Sequence, residues 1–336
     1  MATATKTRSA AKAKGKTAAA TDAAPVERKD VYTRITETIV RQLEAGTRPW
    51  HQPWSSGHAA GPISRPLRHD GTPYRGINVL MLWIAAMERG FAAPLWMTYR
   101  QALKLGGHVR KGETSTLVAY ADRFRWTKTD EEGDEQTLER WFWKGYLVFN
   151  VQQIDGLPGH YYALAKTETL AESERVGRVG RVESFVEHTG AVVQTSGTLA
   201  AYRLDKDVVL MPPFPSFADA GSYYATLLHE LTHWTRHSSR LDRDLGRKKW
   251  GDAGYAMEEL VAEMAAAFLC ADLAVSPVVR DDHAGYIASW LQVLKNDNRA
   301  VFTAAAHAQR AADFLWKLQP ATTEPTADEE EQDQLV

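Results

Sequence analysis

The sequence predicts an α+β fold in two successive units between disordered tails. Three observations predict it. Helical patterns precede two strand-like runs in the first half, and a strand-rich stretch leads into an apolar helix in the second. The two ends are compositionally biased, one basic and one acidic. The expected boundaries are a basic arm over 1–28, a first unit over 29–158, a second over 159–320 and an acidic tail over 321–336.

Residues 1–16 carry Lys6, Arg8, Lys12, Lys14 and Lys16 with no acid among Ala and Thr, a composition that stays solvated. Val31 to Leu43 then places Ile35, Ile39, Val40 and Leu43 at helical spacing, and Gly46 ends the helix. A loop with Trp50 and Trp54 follows. The span from Gly76 to Arg89 repeats the pattern with Ile77, Leu80, Ile84 and Met87, closed by Gly90. Thr98 suits the N-cap of a third helix that stops at Gly106-Gly107. Thr114–Ala121 and Trp141–Val151 read as strands on either side of the acidic loop Asp130–Glu135.

The second unit begins between Gly156 and Glu174. Val182, Phe185 and Val186 mark a helix, while Ala191–Thr195 and Ala201–Met211 read as strands, the latter stopped by Pro212-Pro213. Two apolar helices follow, and residues 281–317 read as helical again. The chain has 336 residues, 44% hydrophobic and 24% charged, enough for real cores. Cys270 is the one cysteine, so no internal disulfide forms. No apolar run approaches the roughly 18 residues of a membrane span, and the N-terminus lacks a secretory apolar core. A cytoplasmic protein is expected, with no membrane partner.

Chemistry enters at Leu228-His229-Glu230-Leu231-Thr232-His233-Trp234. On a helix, His229 and His233 lie one turn apart on one face, so both imidazoles can reach one metal ion, with Glu230 beside them. This H-E-x-x-H spacing is that of zinc metallopeptidases. Tyr224, Leu227, Leu228, Leu231 and Trp234 supply an apolar stripe, and Asp219 and Ser222 suit the N-cap. A strand just before such a helix suits the zincin arrangement, in which a cleft-edge strand pairs with an extended substrate.

A catalytic zinc takes a third protein ligand and keeps one position open. In Tyr255 to Met264, Glu259 and Glu263 share a helix face, and carboxylates in an apolar helix are costly unless something satisfies them. Glu259 is assigned as third ligand and Glu263 as the acceptor that orients a ligand imidazole, or the reverse. This is a gluzincin-like set, H-E-x-x-H plus Glu. Zinc is the expected ion, with manganese or cobalt as substitutes. Bound zinc would lower the pKa of its water from about 15.7 towards about 7. Glu230 would act as general base and Tyr255 as an oxyanion donor. His237 is read as a helix-end residue and not a ligand.

The first half has a different character. Residues 31–129 hold fourteen Lys and Arg against six Asp and Glu, and seven Trp fall between Trp50 and Trp143. Arg65, Arg68, Arg75, Arg110 and Lys111 are among the interleaved cations. Rings that stack on bases, beside cations that track phosphates, are the ingredients of single-stranded nucleic-acid binding. A packed core would use the same Trp residues, Trp83 above all.

Three stretches together resemble the ArdC antirestriction family of mobile genetic elements. The first is Gly71-Thr72-Pro73-Tyr74-Arg75-Gly76-Ile77-Asn78, with Trp96-Met97-Thr98 and Gln101 after it. The second is Gly107-His108-Val109-Arg110-Lys111-Gly112-Glu113, with Phe149-Asn150-Val151-Gln152-Gln153. The third joins His229-Glu230-Leu231-Thr232-His233-Trp234-Thr235 to Glu258-Glu259-Leu260-Val261-Ala262-Glu263. The resemblance covers about residues 29 to 318 and implies an N-terminal single-stranded DNA-binding domain joined to a zincin-like metallopeptidase domain. It also implies protection of incoming plasmid or phage DNA from host restriction. By match to the family pattern, Tyr74, Arg75, Asn78, Trp96, Gln101 and Lys111 become candidates for DNA contact, with Arg110 from the basic series. Asn78 and Gln101 could equally cap or bridge the domain.

The expected partners are therefore single-stranded DNA and a protein substrate bound to it or acting on it. Two other readings compete. One is a conventional zinc metallopeptidase with a regulatory first half that ignores DNA. The other is a non-catalytic single-stranded DNA-binding protein with structural zinc.

Overall fold

In the computed structural model, which describes residues 30–50, 64–129, 135–163, 179–246, 249, 252–275 and 284–320, helix α1 spans Val31–Glu44. The side chains at 121–126, 128–129, 135–142, 163 and 284–285 fall outside that description. So do the basic arm, Trp54, the acidic loop at 130–134, the chain at 164–178 and the acidic tail.

Asp30 caps α1 by accepting from the Thr33 amide at 2.7 Å. The periodicity that predicted the helix also sets its buried face, Ile35, Ile39 and Leu43. Helix α2, Ile77–Arg89, buries nearly every residue from Ile77 to Ala85, which explains its apolar character all round. Gly90 closes it in the left-handed region at φ 70°. Helix α3, Tyr99–Lys104, opens on a reciprocal capping box between Thr98 and Gln101.

The first sheet contains β1 (Leu67–Arg68), β2 (Leu95–Met97), β4 (Thr116–Thr129) and β5 (Glu135–Asn150) in the order β1-β2-β5-β4. The last two form an unbroken antiparallel hairpin from Thr116↔Val148 to Thr129↔Glu135. It is longer than the two strands expected, because the polar residues at its outer end cost little where the ladder satisfies the backbone. A small pair, β3 (His108–Val109) with β6 (Ile154–Asp155), lies alongside. A short helix, α4 (His160–Ala163), follows.

The second half adds α5 (Gly180–His188) and a three-stranded sheet. Its strands β7 (Val192–Thr195), β8 (Ala201–Arg203) and β9 (Val208–Met211) are ordered β7-β9-β8. The stretch Ala201–Met211, expected as one strand, is thus a hairpin. Its turn includes Asp205-Lys206-Asp207, with Asp207 at φ 52°. The cleft-edge strand is consequently β8, and the strand nearest the next helix, β9, is central.

Helices α6 (Ala220–Trp234), α7 (Ala253–Asp272), α8 (Ala284–Asn296) and α9 (Ala300–Lys317) complete the fold. Both halves share one hydrophobic core. Residues of α1, α2 and β4 pack in the same cluster as residues of α6, α7 and α9. Polar ties cross it as well. Buried Arg65 forms a two-point ion pair with Asp272 at 2.9 and 2.8 Å and donates to Gln309 at 3.1 Å. The predicted sequence boundary near residue 158 is therefore crossed by packing. A second, smaller cluster sits under α3 and β6, around Leu95, Met97 and Ile154. Among the described residues, no helix is long and apolar enough to cross a membrane.

Candidate metal centre

Helix α6 begins where Asp219 accepts from the Ser222 amide at 2.7 Å, and α7 where Asp252 accepts from the Tyr255 amide at 2.8 Å. Packed against each other, the two helices bury their polar faces between them. His229, Glu230, Glu258, Glu259 and Glu263 all lie in the interior. Such a cluster of ionisable groups is unfavourable unless each is paired or shares a cation.

His229, His233 and Glu259 form a group whose ligand atoms converge. The two Nε2 atoms are 3.2 Å apart. Glu259 reaches His229 Nε2 at 3.4 Å and His233 Nε2 at 3.6 Å. A tetrahedral ion with arms of roughly 2.0–2.2 Å has donor–donor edges of about 3.3–3.6 Å. The spacing of these donors therefore fits a first-row divalent ion, and the carboxylate in the group is that of Glu259.

Each imidazole turns its other nitrogen to a carboxylate. Glu263 lies 3.6 Å from His229 Nδ1, the place expected for an orienting acceptor. Glu258 plays the closer part at His233, with its Oε1 3.1 Å from Nδ1. Carboxylate partners of this kind fix the ring and raise ligand basicity. Burial alone would raise the Glu258 pKa, but hydrogen bonds from Arg243 and His233 outweigh it and hold the carboxyl at about 2. Arg243 grips Glu258 at 2.8 and 2.7 Å and also donates to the Thr232 carbonyl at 3.0 Å.

Glu230 faces the edge strand, where its Oε2 accepts from the Tyr202 amide at 2.9 Å. That strand is tied to the end of α6. Asp207 accepts from the Tyr202 hydroxyl at 2.8 Å and from Arg240, whose guanidinium lies 3.9 Å over Trp234. Tyr255 stands in the first turn of α7, its hydroxyl 2.8 Å from that of Tyr286. Burial, the Tyr286 contact and the Glu259 charge all raise its pKa, so it is a neutral donor at ordinary pH. His237 lies beyond the helix, 2.8 Å from the Ser239 hydroxyl through Nδ1.

Sequence reasoning gave no role to four neighbours of this centre. Glu258 lies in the third of the family-like stretches, but nothing local in the sequence links it to His233. Arg243 comes from a segment with no local periodic signal, and Tyr286 from the helical stretch 281–317, where nothing local points to the centre. Trp50, read as a loop aromatic, is fully buried and its Nε1 donates to Glu263 Oε2 at 3.2 Å. Its signal was the isolated Trp directly after a helix-ending turn, which a fold uses readily as an anchor.

The residues expected at a DNA surface differ in their exposure. Trp96 is 1% exposed and meets Phe91 edge-on, leaving no free face for a base. Tyr74 is buried beneath Arg68. Asn78 bridges α2 to β4, donating to the Ala119 carbonyl at 2.6 Å and accepting its amide at 2.7 Å. Gln101 closes the α3 cap. Burial thus removes Trp96 and Tyr74 from the surface, a correction to the contact role, while Asn78 and Gln101 take the bridging and capping roles that the sequence left open. Arg75, Arg110 and Lys111 are exposed. Arg75 pairs with Asp313, and Arg110 with Glu113 at 2.7 Å and Asp155 at 3.2 Å.

Comparison with known proteins matches both halves of the chain. The model for the N-terminal domain of anti-restriction factor ArdC matches residues 29–149. The zincin-like metallopeptidase model matches residues 180–307. An uncharacterised protein of Sinorhizobium fredii, y4eC, is 42% identical over 305 residues, which is 88% of this chain and 94% of that one. A DNA primase TraC of Escherichia coli is 36% identical over 92% of this chain, which spans only 30% of that longer protein. The crystal structure of the antirestriction ArdC protein from plasmid R388, metal-free, matches with a TM-score of 0.72 at 42% identity. It covers 86% of this chain and 98% of that one. The Mn(II)-bound structure of the same protein gives 0.69 at 41% identity, over the same shares.

Proposed function

The chain belongs to the ArdC antirestriction family, and on that premise we propose that it binds single-stranded DNA in the cytoplasm and protects incoming DNA of a mobile element. We further propose that it carries a metal-dependent peptidase centre directed at proteins on that DNA. The observation that carries the second part is the convergence of His229, His233 and Glu259 at 3.2–3.6 Å. The plasmid R388 relative is described with Mn(II) bound. Two imidazoles and one carboxylate also suit zinc, the ion we propose, with manganese or cobalt as substitutes.

His229, His233 and Glu259 would hold the ion, with Glu263 beside His229 and Glu258 behind His233. An ion so held supplies Lewis acidity, polarising a carbonyl and making water a better nucleophile near neutral pH. The remaining work belongs to the chain. Glu230 takes the proton from the attacking water and delivers it to the leaving amine. Its hydrogen bond to the Tyr202 amide keeps one oxygen fixed and ties the base to β8. That edge strand offers backbone pairing to an extended peptide, which places the scissile bond near the carboxylate. The Tyr255 hydroxyl, neutral and fixed by Tyr286, supplies a hydrogen bond to the developing oxyanion.

Two measurements test the reading. Fluorescence anisotropy with labelled single-stranded and duplex oligonucleotides should show single-strand preference and strong weakening with salt. Equal affinity for both forms would contradict it. Glu230→Gln should abolish peptide cleavage while leaving the affinity for added metal unchanged. Retained cleavage in that variant would remove Glu230 from the base role.

A further inference from the structure

The two imidazoles of the centre are backed differently. Glu258, behind His233, shares its charge with the Arg243 guanidinium. Glu263, behind His229, is 1% exposed and accepts instead from the Trp50 indole at 3.2 Å. One Glu263 oxygen faces that indole and the other faces His229 Nδ1. Arg243 belongs to the same half of the chain as the centre. Trp50 belongs to the other half, 213 residues from Glu263 in sequence.

Trp50 is firmly seated. The chain leaves the exposed end of α1 through Gly46, at φ 76°, and turns inward, so that Arg48, Pro49 and Trp50 are all buried. The Trp50 ring meets Trp290 of α8 edge-on at 5.6 Å. Trp290 donates to the Ala256 carbonyl of α7 at 3.0 Å and stacks on Tyr286, whose hydroxyl meets that of Tyr255. Helix α8 packs on both α7 and α1, and Thr36 of α1 donates to the Asn298 carbonyl just beyond α8 at 2.7 Å. Trp50, Trp290, Tyr286 and Tyr255 are thus one line of contacts, and it touches the centre at Glu263 and at Tyr255.

The last torsion of a glutamate is soft, so a carboxylate needs a further donor to hold one oxygen on an imidazole. An indole N–H suits this task because it donates only and carries no charge. It fixes the carboxylate yet leaves the full negative charge to act on His229, whereas the guanidinium offsets that of Glu258. A carboxylate so placed orients the ligand ring and raises its basicity. We propose that Trp50 is a positioning residue of the metal centre, holding Glu263 so that His229 presents Nε2 to the ion. The first half of the chain thereby supplies part of the ion's affinity. This role rests on the metal reading above and names the residue outside the zincin-like half that completes the site. By linkage, whatever Trp50 adds to the hold on the ion, the ion adds to the seating of Trp50.

The test uses the full chain and zinc alone, with affinity measured in competition with a fluorescent zinc chelator. Trp50→Phe should weaken zinc about tenfold, the low end of what groups behind a ligand contribute. Trp50 replaced by benzothienylalanine, in which sulfur stands for the N–H in a ring of nearly the same size, should fold like the parent and show the same loss. In a Glu263→Gln background, Trp50→Phe should weaken zinc no further, because the carboxylate through which it acts is gone. Trp316→Phe is the matched control. It removes an indole bond to the Asp272 carboxylate, 3.3 Å long, at the C-terminal end of α7, and should leave zinc affinity within about twofold. If the parent binds zinc and the benzothienylalanine variant binds it equally well, the positioning role is wrong while the metal reading stands. An undiminished loss in the Glu263→Gln background, or an equal loss with Trp316→Phe, overturns the role as well, since packing alone would then explain it. If the parent binds no zinc, or His233→Ala binds it as tightly, both fall.

Discussion

At the centre between α6 and α7, His229, His233, Glu258, Glu259 and Glu263 are buried with ring nitrogens and carboxylate oxygens 3.1–3.6 Å apart, and Glu230 is buried on the same helix as the two histidines. In the first half the conspicuous polar and aromatic residues behave otherwise. Asn78 and Gln101 satisfy backbone groups, Trp96 fills the core, and Arg75, Arg110 and Lys111 stay at the surface. The contrast shows two ways of holding function. A buried carboxylate cluster is unfavourable by itself, so its presence implies the cation that would repay it. A surface for nucleic acid needs no buried polar group and shows itself only through exposure.

The sharpest way to break this contrast is to remove a donor. His233→Ala should eliminate the metal-dependent rise in melting temperature, which in the parent corresponds to about 2.7 kcal/mol at a hundredfold excess over Kd. An undiminished rise would put the ion elsewhere. Glu258→Gln acts one step further out. It leaves Arg243 buried without its charge partner, for a stability cost of about 3–5 kcal/mol in denaturant unfolding. Metal affinity by calorimetry should fall about 10–100-fold with the donors intact.

Trp50→Phe keeps the ring in the core but withdraws the donor to Glu263. It should cost about 1–3 kcal/mol in urea unfolding, although Trp50 lies far from the centre in sequence. A cost near zero would mean that Glu263 is satisfied without it. Asn78→Ala sharpens the comparison from the other side. Losing both bonds to the buried Ala119 backbone should destabilise by about 1–2 kcal/mol with single-strand affinity unchanged. The reverse outcome, unchanged stability with a tenfold loss of binding, would return Asn78 to the DNA surface.

How far the sequence reveals these features depends on how local their causes are. The helix bearing His229 and His233 is legible because one turn of helix fixes both imidazoles, and the Glu259–Glu263 pair follows the same rule. Helix ends at Gly90, Thr98 and Asp219 are likewise local, since a cap is one side chain or one dihedral. The hairpin at Ala201–Met211 is missed because an apolar run hides a turn whose signal is only Asp205-Lys206-Asp207. Arg243 and Trp50 reach the centre through tertiary packing, which no window of sequence contains.

The account turns on where a divalent ion binds, and anomalous diffraction from crystals of the protein loaded with zinc, collected at the zinc edge, tests it most directly. The account predicts one strong site within about 2.0–2.2 Å of His229 Nε2, His233 Nε2 and a Glu259 oxygen, with no fourth protein ligand. A site bound through Nδ1, one elsewhere in the molecule, or one closed by Glu230 or Glu263 would contradict it.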